Sequence, residues 1–156
     1  MQTSREIKGV DPEYALRDVL KRIRFKIKEN QLESEKWYQK LDEDAREKYR
    51  ESGKNLMQSL ASYLSAEGED ASAEARSLGY EYASRGRRFG LKLIDATRAF
   101  LFFRNALLEA MIAVYLDARV SDTGSWGEML TSLHGFTDQT MISLMETYEA
   151  FENNNR

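Results

Sequence analysis

Cysteine is missing from the chain altogether. That single absence removes disulfides, thiolate nucleophiles, iron–sulfur clusters and zinc–thiolate sites together, and it is consistent with a reducing cytoplasm. Proline occurs once and glycine nine times in 156 residues. With so few breakers among many Leu, Ala, Glu, Lys and Arg residues, helix is expected nearly throughout. Histidine also occurs once, as His134, which excludes a histidine-rich metal site. Neither charge dominates: 23 Lys and Arg face 26 Asp and Glu, a net charge of −3. Such a balance does not predict the basic surface that direct nucleic-acid binding normally needs. The opening MQTSREIKGVDPEY carries no apolar stretch of the kind a secretory signal requires.

What is present reads as one all-α domain over residues 1–156, long enough to bury a substantial core. No internal repeat or low-complexity linker divides it. Asp11-Pro12-Glu13 is a helix start, since Asp accepts from free backbone N–H groups and Pro fits the first helical position. Leu16, Val19, Leu20, Ile23 and Ile27 then form one apolar stripe to about Asn30. A short helix anchored by Trp37 and Leu41 follows. A third, capped by Asp42 or Asp44, carries Tyr49, Leu56, Met57, Leu60 and Leu64 inward, and residues 66–72 break it. The fourth opens at Ser72 and sets Ala75, Gly79 and Ala83 four apart, so that a neighbouring helix can approach closely. SRGRRFG, residues 84–90, is expected to be a turn. The longest helix is expected over about 91–120, and a last long one over about 125–152. The expected fold is therefore a globin-like or up-down bundle of about six helices, with a long central and a long C-terminal helix.

The run AFLFFRNALLEAMIAVY, residues 99–115, has the hydrophobicity of a membrane anchor but carries Arg104, Asn105 and Glu109. A spanning helix needs about 20 predominantly apolar residues. At 100° per residue, Arg98, Arg104, Asn105 and Glu109 share one sector of roughly 140°. Leu93, Ala96, Phe100, Phe103, Leu107, Met111, Val114 and Ala118 lie opposite. One polar strip on an otherwise apolar helix describes the centre of a bundle, not a membrane span. Arg104 and Asn105 then form an internal polar site, whose polar ends need partners or water.

No nucleophile–base pair, phosphate loop or metal constellation stands at a usable spacing, so neither an enzyme nor a bound cofactor is expected. His134 reads as a surface or lightly packed histidine, and the alternative, a proximal haem ligand, does not suit its place beside Gly135 on the last helix. Arg85, Arg87 and Arg88, with Arg76 and Lys92 near, form the densest basic cluster. They are either an anion or partner patch at a helix–helix corner or a solvated turn. Phe100, Phe102, Phe103, Tyr80, Tyr82, Tyr115 and Trp37 are ordinary core or the lining of a small apolar pocket.

The last helix steps through Trp126, Leu130, Leu133, Thr137, Thr140, Leu144 and Tyr148 at intervals of three and four. That approximates a coiled-coil seam. Met129, Phe136, Met141, Ile142 and Met145 widen its apolar face. Either the helix packs on the bundle on one side and on a second subunit on the other, or it is a plain amphipathic bundle helix.

Residues 75–115, ARSLGYEYASRGRRFGLKLIDATRAFLFFRNALLEAMIAVY, resemble the N-terminal sensory domain of the RsbRD type of RsbT co-antagonist. The features that carry this are a small-residue helix ending in Gly86, a short turn with Phe89, and a long helix bearing Ala99-Phe100, Phe103-Arg104 and Leu107-Leu108. Trp37, followed by a helix ending near Leu64, fits the earlier part. The resemblance implies a helical, cytoplasmic, bacterial sensory domain related to the non-haem globins of stressosome proteins. It also implies a homodimer that signals through its last helix to an attached output module, the chain being the N-terminal part of a longer regulator. A free-standing adaptor for a protein partner is the other expectation.

Overall fold

A computed structural model describes residues 31–65, 69–117 and 123–154. The helix expected over residues 11–30 lies outside them. After a 3-10 turn, Gln31–Ser34, come α1 (Lys36–Gln39), α2 (Glu43–Arg50), α3 (Ser52–Ser65), α4 (Glu69–Arg88), α5 (Leu93–Asp117) and α6 (Thr123–Asn154). The described residues contain no strand, and the fold is an all-α bundle.

Local chemistry sets several of the boundaries. The Asp42 carboxylate accepts from the Ala45 N–H at 2.8 Å and caps α2, the bond that an N-cap acid makes to an unpaired first-turn donor. The single third helix expected from the sequence is two: α2 ends and α3 begins on either side of Glu51. Gly53, a weak helix former, falls in the first turn after the break. Acidic Glu69 and Asp70 open α4, while Arg85, Arg87 and Arg88 close it, each matching the sign of the helix dipole at that end.

The end of α4 differs from expectation. Residues 84–88 of the supposed turn are helical, and α4 starts at Glu69, not Ser72. The reversal is made by residues 89–92, with the turn itself at Phe89 and Gly90. Gly90 has φ of 80°, its N–H bonds the Arg87 carbonyl, and the Leu91 N–H bonds the Gly86 carbonyl at 2.8 Å. Those two bonds complete a Schellman cap, whose left-handed position favours glycine. Gly86 is retained inside the helix for a different reason. A Cβ there would meet the Tyr148 hydroxyl and Ala96 Cβ.

At the middle of the bundle, α5 touches α1, α3, α4 and α6. Ala96, Ala99, Phe100, Phe103, Leu107, Ala110 and Met111 are buried along one face, while Arg98, Asn105 and Glu109 are exposed. Among the described residues no helix is long and apolar enough to cross a membrane. The longest helix is α6, with 32 residues against 25 in α5. It lies along α4 in the most extensive contact of the bundle. Ala75, Gly79 and Ala83 form the α4 side of that contact as expected from their spacing, and a Cβ on Gly79 would collide with the Thr140 carbonyl and Ser143 Cβ. Among the described side chains, the aromatic residues expected in the core are buried there or, like Phe102, packed against it. Trp37 packs edge-on against Tyr38, Tyr49 and Phe102, and Tyr82 against Phe100, arrangements in which ring edges meet ring faces. Tyr80 is the exception at 57% exposed.

Candidate functional site

The expected basic patch does not exist as one surface. Successive helical residues are turned by 100°, so the three arginines of α4's last turn point apart. Arg85 turns inward: its Nη1 donates to Ser52 Oγ at 3.0 Å, and its guanidinium lies 5.5 and 5.6 Å from the ring centroids of Tyr49 and Tyr82. Arg88 is exposed over Phe89. Arg87 crosses to the other helix end, its guanidinium 4.3 Å from the Phe151 ring centroid. Arg85 and Arg88 do meet again, in a pocket they share with Lys48.

Arg87 borders a groove of about 580 Å³ between the α4–α5 corner and the last turns of α6. Lys92, Leu93, Ile94 and Thr97 form one wall, and Met145, Tyr148, Phe151 and Glu152 the other. The corner wall is well anchored. The Leu91 carbonyl accepts the buried Tyr148 hydroxyl at 2.9 Å, and Asp95, itself buried, takes Lys40 Nζ at 2.7 Å. Burial, with the Asp95 carboxylate adding to it, pushes the Tyr148 phenol up to about 12, so the hydroxyl remains a donor at any physiological pH. The Lys92 carbonyl accepts from Ala96 and makes Lys92 the N-cap of α5. Lysine offers no acceptor there, and the positive end of α5 opens beside the groove. Ile94 is 56% and Met145 40% exposed.

The residues expected to form a subunit seam are turned into the bundle. Leu133, Thr137, Leu144 and Tyr148 are buried, together with Thr140. Leu130 is half-buried, and the side chain of Trp126 lies outside the described ones. Thr140 Oγ1 bonds back to the Phe136 carbonyl, and Ser143 Oγ donates across to the Arg76 carbonyl of α4 at 2.7 Å. Steps of three and four on α6 therefore describe its packing on α4. What α6 leaves outside is a different pair one turn apart, Ile142 at 57% and Met145.

Arg104 and Asn105 are likewise not internal. Asn105 is exposed and Arg104 half-exposed, and the two bond each other, Arg104 Nε and Nη2 donating to Asn105 Oδ1 at 3.3 and 3.1 Å. The strip is the outer edge of α5, with Arg98, Asn105 and Glu109 exposed and Arg104 half-exposed. His134 is exposed on α6. Among the described residues no group of three His, Cys, Asp or Glu side chains is placed to hold a metal ion.

Two features were beyond sequence reasoning. Arg87 and Phe151 are far apart in the chain, and only the packing of α6 along α4, the two running in the same direction, joins them. The other is a buried polar cluster: the Tyr49 hydroxyl lies in the core without a hydrogen-bond partner, and the Tyr82 hydroxyl is buried beside Ser52. Burial raises both phenols, against the opposing effect of Arg85. Comparison with protein-family models, curated proteins and solved structures gives no match.

Proposed function

We propose that the chain is a non-enzymatic sensory and dimerisation domain of a bacterial signalling or transcription-regulating protein, passing a change at the bundle through α6 to an attached output. The observation that carries this reading is how the groove is built. One wall is a capped and hydrogen-bonded corner, and the other is the end of the longest helix. An occupant that binds two positions of those last turns with unequal affinity shifts the balance between them, which is all that a relay requires. The resemblance of residues 75–115 to RsbRD-type sensory domains points the same way. A cytoplasmic homodimer is part of the reading, joined through the Ile142 and Met145 side of α6.

Light scattering on the chain and on an Ile142→Asp, Met145→Asp double variant tests it. The expected result is a dimer that becomes a folded monomer with unchanged helical circular dichroism. Hydrogen exchange completes the test: input compounds or partners should alter protection of residues 139–154, and uniform indifference would remove the relay. The exposure of Ile142 and Met145 also favours a second reading, an adaptor that takes another protein on this face. A monomer whose mass the double variant does not change would put that reading ahead.

A further inference from the structure

We propose that the pocket between α2 and α4 binds a small phosphomonoester. The pocket has a volume of about 330 Å³ and lies on a different side of α4 from the groove of the relay, on which it does not depend. Tyr80, Ser84 and Arg88 line it at intervals of four, one row of α4 facing a single opening. Glu81 and Arg85 form the next row, and Lys48 reaches in from α2.

Three observations define the ligand. First, three cations and one carboxylate leave an excess of two positive charges around the pocket. A phosphomonoester carries about −1.5 to −2 at neutral pH and matches that excess, whereas a carboxylate supplies half of it. Second, the Ser84 hydroxyl oxygen is buried without a hydrogen-bond partner. A buried polar group is costly until it is paired, and a turn of the Ser84 side chain towards the opening would give this hydroxyl a phosphate oxygen as acceptor. Third, Arg85 stands in the inner wall of the pocket, held in place by Nη1 on Ser52 and by the rings of Tyr49 and Tyr82. A pre-set guanidinium fork suits phosphate geometry, and Lys48 adds a point charge. Tyr80, 57% exposed in the lining, offers an aromatic ring to the organic part. The volume is near the lower end of small-ligand pockets, which fits a phosphate with one ring attached.

Titration calorimetry of the full chain with phenyl phosphate, inorganic phosphate and benzoate tests the assignment. One site is expected, tightest for phenyl phosphate, weaker for inorganic phosphate and weakest for benzoate. Arg88→Gln should weaken phenyl phosphate about 10-fold, the loss of one charge-assisted contact, and Ser84→Ala should weaken it less. Arg87→Gln, on the other side of the helix, should leave it unchanged. Affinity should fall below about pH 6 as the phosphate regains its second proton. Circular dichroism of each variant confirms that the bundle is intact. Absence of saturable binding overturns the proposal. So does equal weakening by Arg87→Gln and Arg88→Gln, which would mean diffuse attraction, or benzoate binding as well as phenyl phosphate.

Discussion

Replacing Gly79 by alanine should destabilise the protein, although in an isolated helix the same change is stabilising. Alanine is favoured over glycine in a helix interior by about 1 kcal/mol. At Gly79, however, the new methyl group would collide with a backbone atom, the Thr140 carbonyl oxygen, and with Ser143 Cβ. Neither is the free end of a flexible side chain, and Ser143 is further tied to the Arg76 carbonyl. The two helices would have to move apart along the broadest contact in the bundle. Overpacking of this kind typically costs about 1–3 kcal/mol, and the rigid carbonyl places this case at the upper end. Set against the propensity gain, a net loss of about 2 kcal/mol is expected, or about 4–8 °C in Tm for a chain of this length. Gly127, exposed on α6, is the internal control. A Cβ there meets nothing within 4 Å, so Gly127→Ala should raise Tm by up to a few degrees. Thermal melts followed at 222 nm give both values. Equal shifts of the same sign would refute the reasoning, because they would mean that the α4–α6 distance does not depend on the missing Cβ.

Tyr148→Phe removes the hydrogen bond donated to the backbone carbonyl of Leu91 and should cost about 1–3 kcal/mol in urea denaturation, the usual consequence of leaving a buried acceptor without its partner. The tyrosines also make stability sensitive to alkali. With Tyr148 raised to about 12 and Tyr49 and Tyr82 raised as well, the native state keeps protons that the unfolded chain loses near pH 10. Their contribution is complete below pH 10 and is lost as pH rises towards 12, so the denaturation midpoint should fall over that window and absorbance at 295 nm should lag behind that of free tyrosine. Arg104→Ala should change stability by no more than about 0.5 kcal/mol, since its partner Asn105 is exposed. A larger loss in a chemical melt would return that pair to the interior.

Much of the bundle was legible because helical periodicity reports which residues share a face. The stripe through Ala96, Phe100, Phe103, Leu107 and Met111 is buried as read, and the Asp42 cap stands where a short acid before a helix predicts it. Periodicity failed where local composition suggested a break that packing overrode. SRGRRFG has the residues of a turn, but Gly86 serves the approach of Tyr148 and only Gly90 serves the reversal. Three arginines close in sequence likewise looked like one patch, although a helix sends neighbours to different sides. Arg85 and Arg87 find their companions, Ser52 and Phe151, on two other helices, and Arg88 lies over Phe89.

The seam on α6 shows why a face is easier to read than its partner. Leu133, Thr137, Leu144 and Tyr148 keep the same spacing whether the opposing helix belongs to this chain or another. The deciding information lay on α4. A helix that presents Ala75, Gly79 and Ala83 in a row has removed the side chains that would hold a neighbour at the usual distance of 8–10 Å, and the long C-terminal helix is what lies against that row. With Thr140 and Ser143 pressed onto Gly79, the inward side of α6 has no room for a second subunit. In the proposed relay, a signal leaving through α6 would act at its last described turns and outer side, around Ile142, Met145 and Phe151, while the middle of the helix is held by the close crossing at Gly79. A compound or partner that changes hydrogen exchange only upstream of residue 139, leaving the last turns untouched, would contradict this division of the helix.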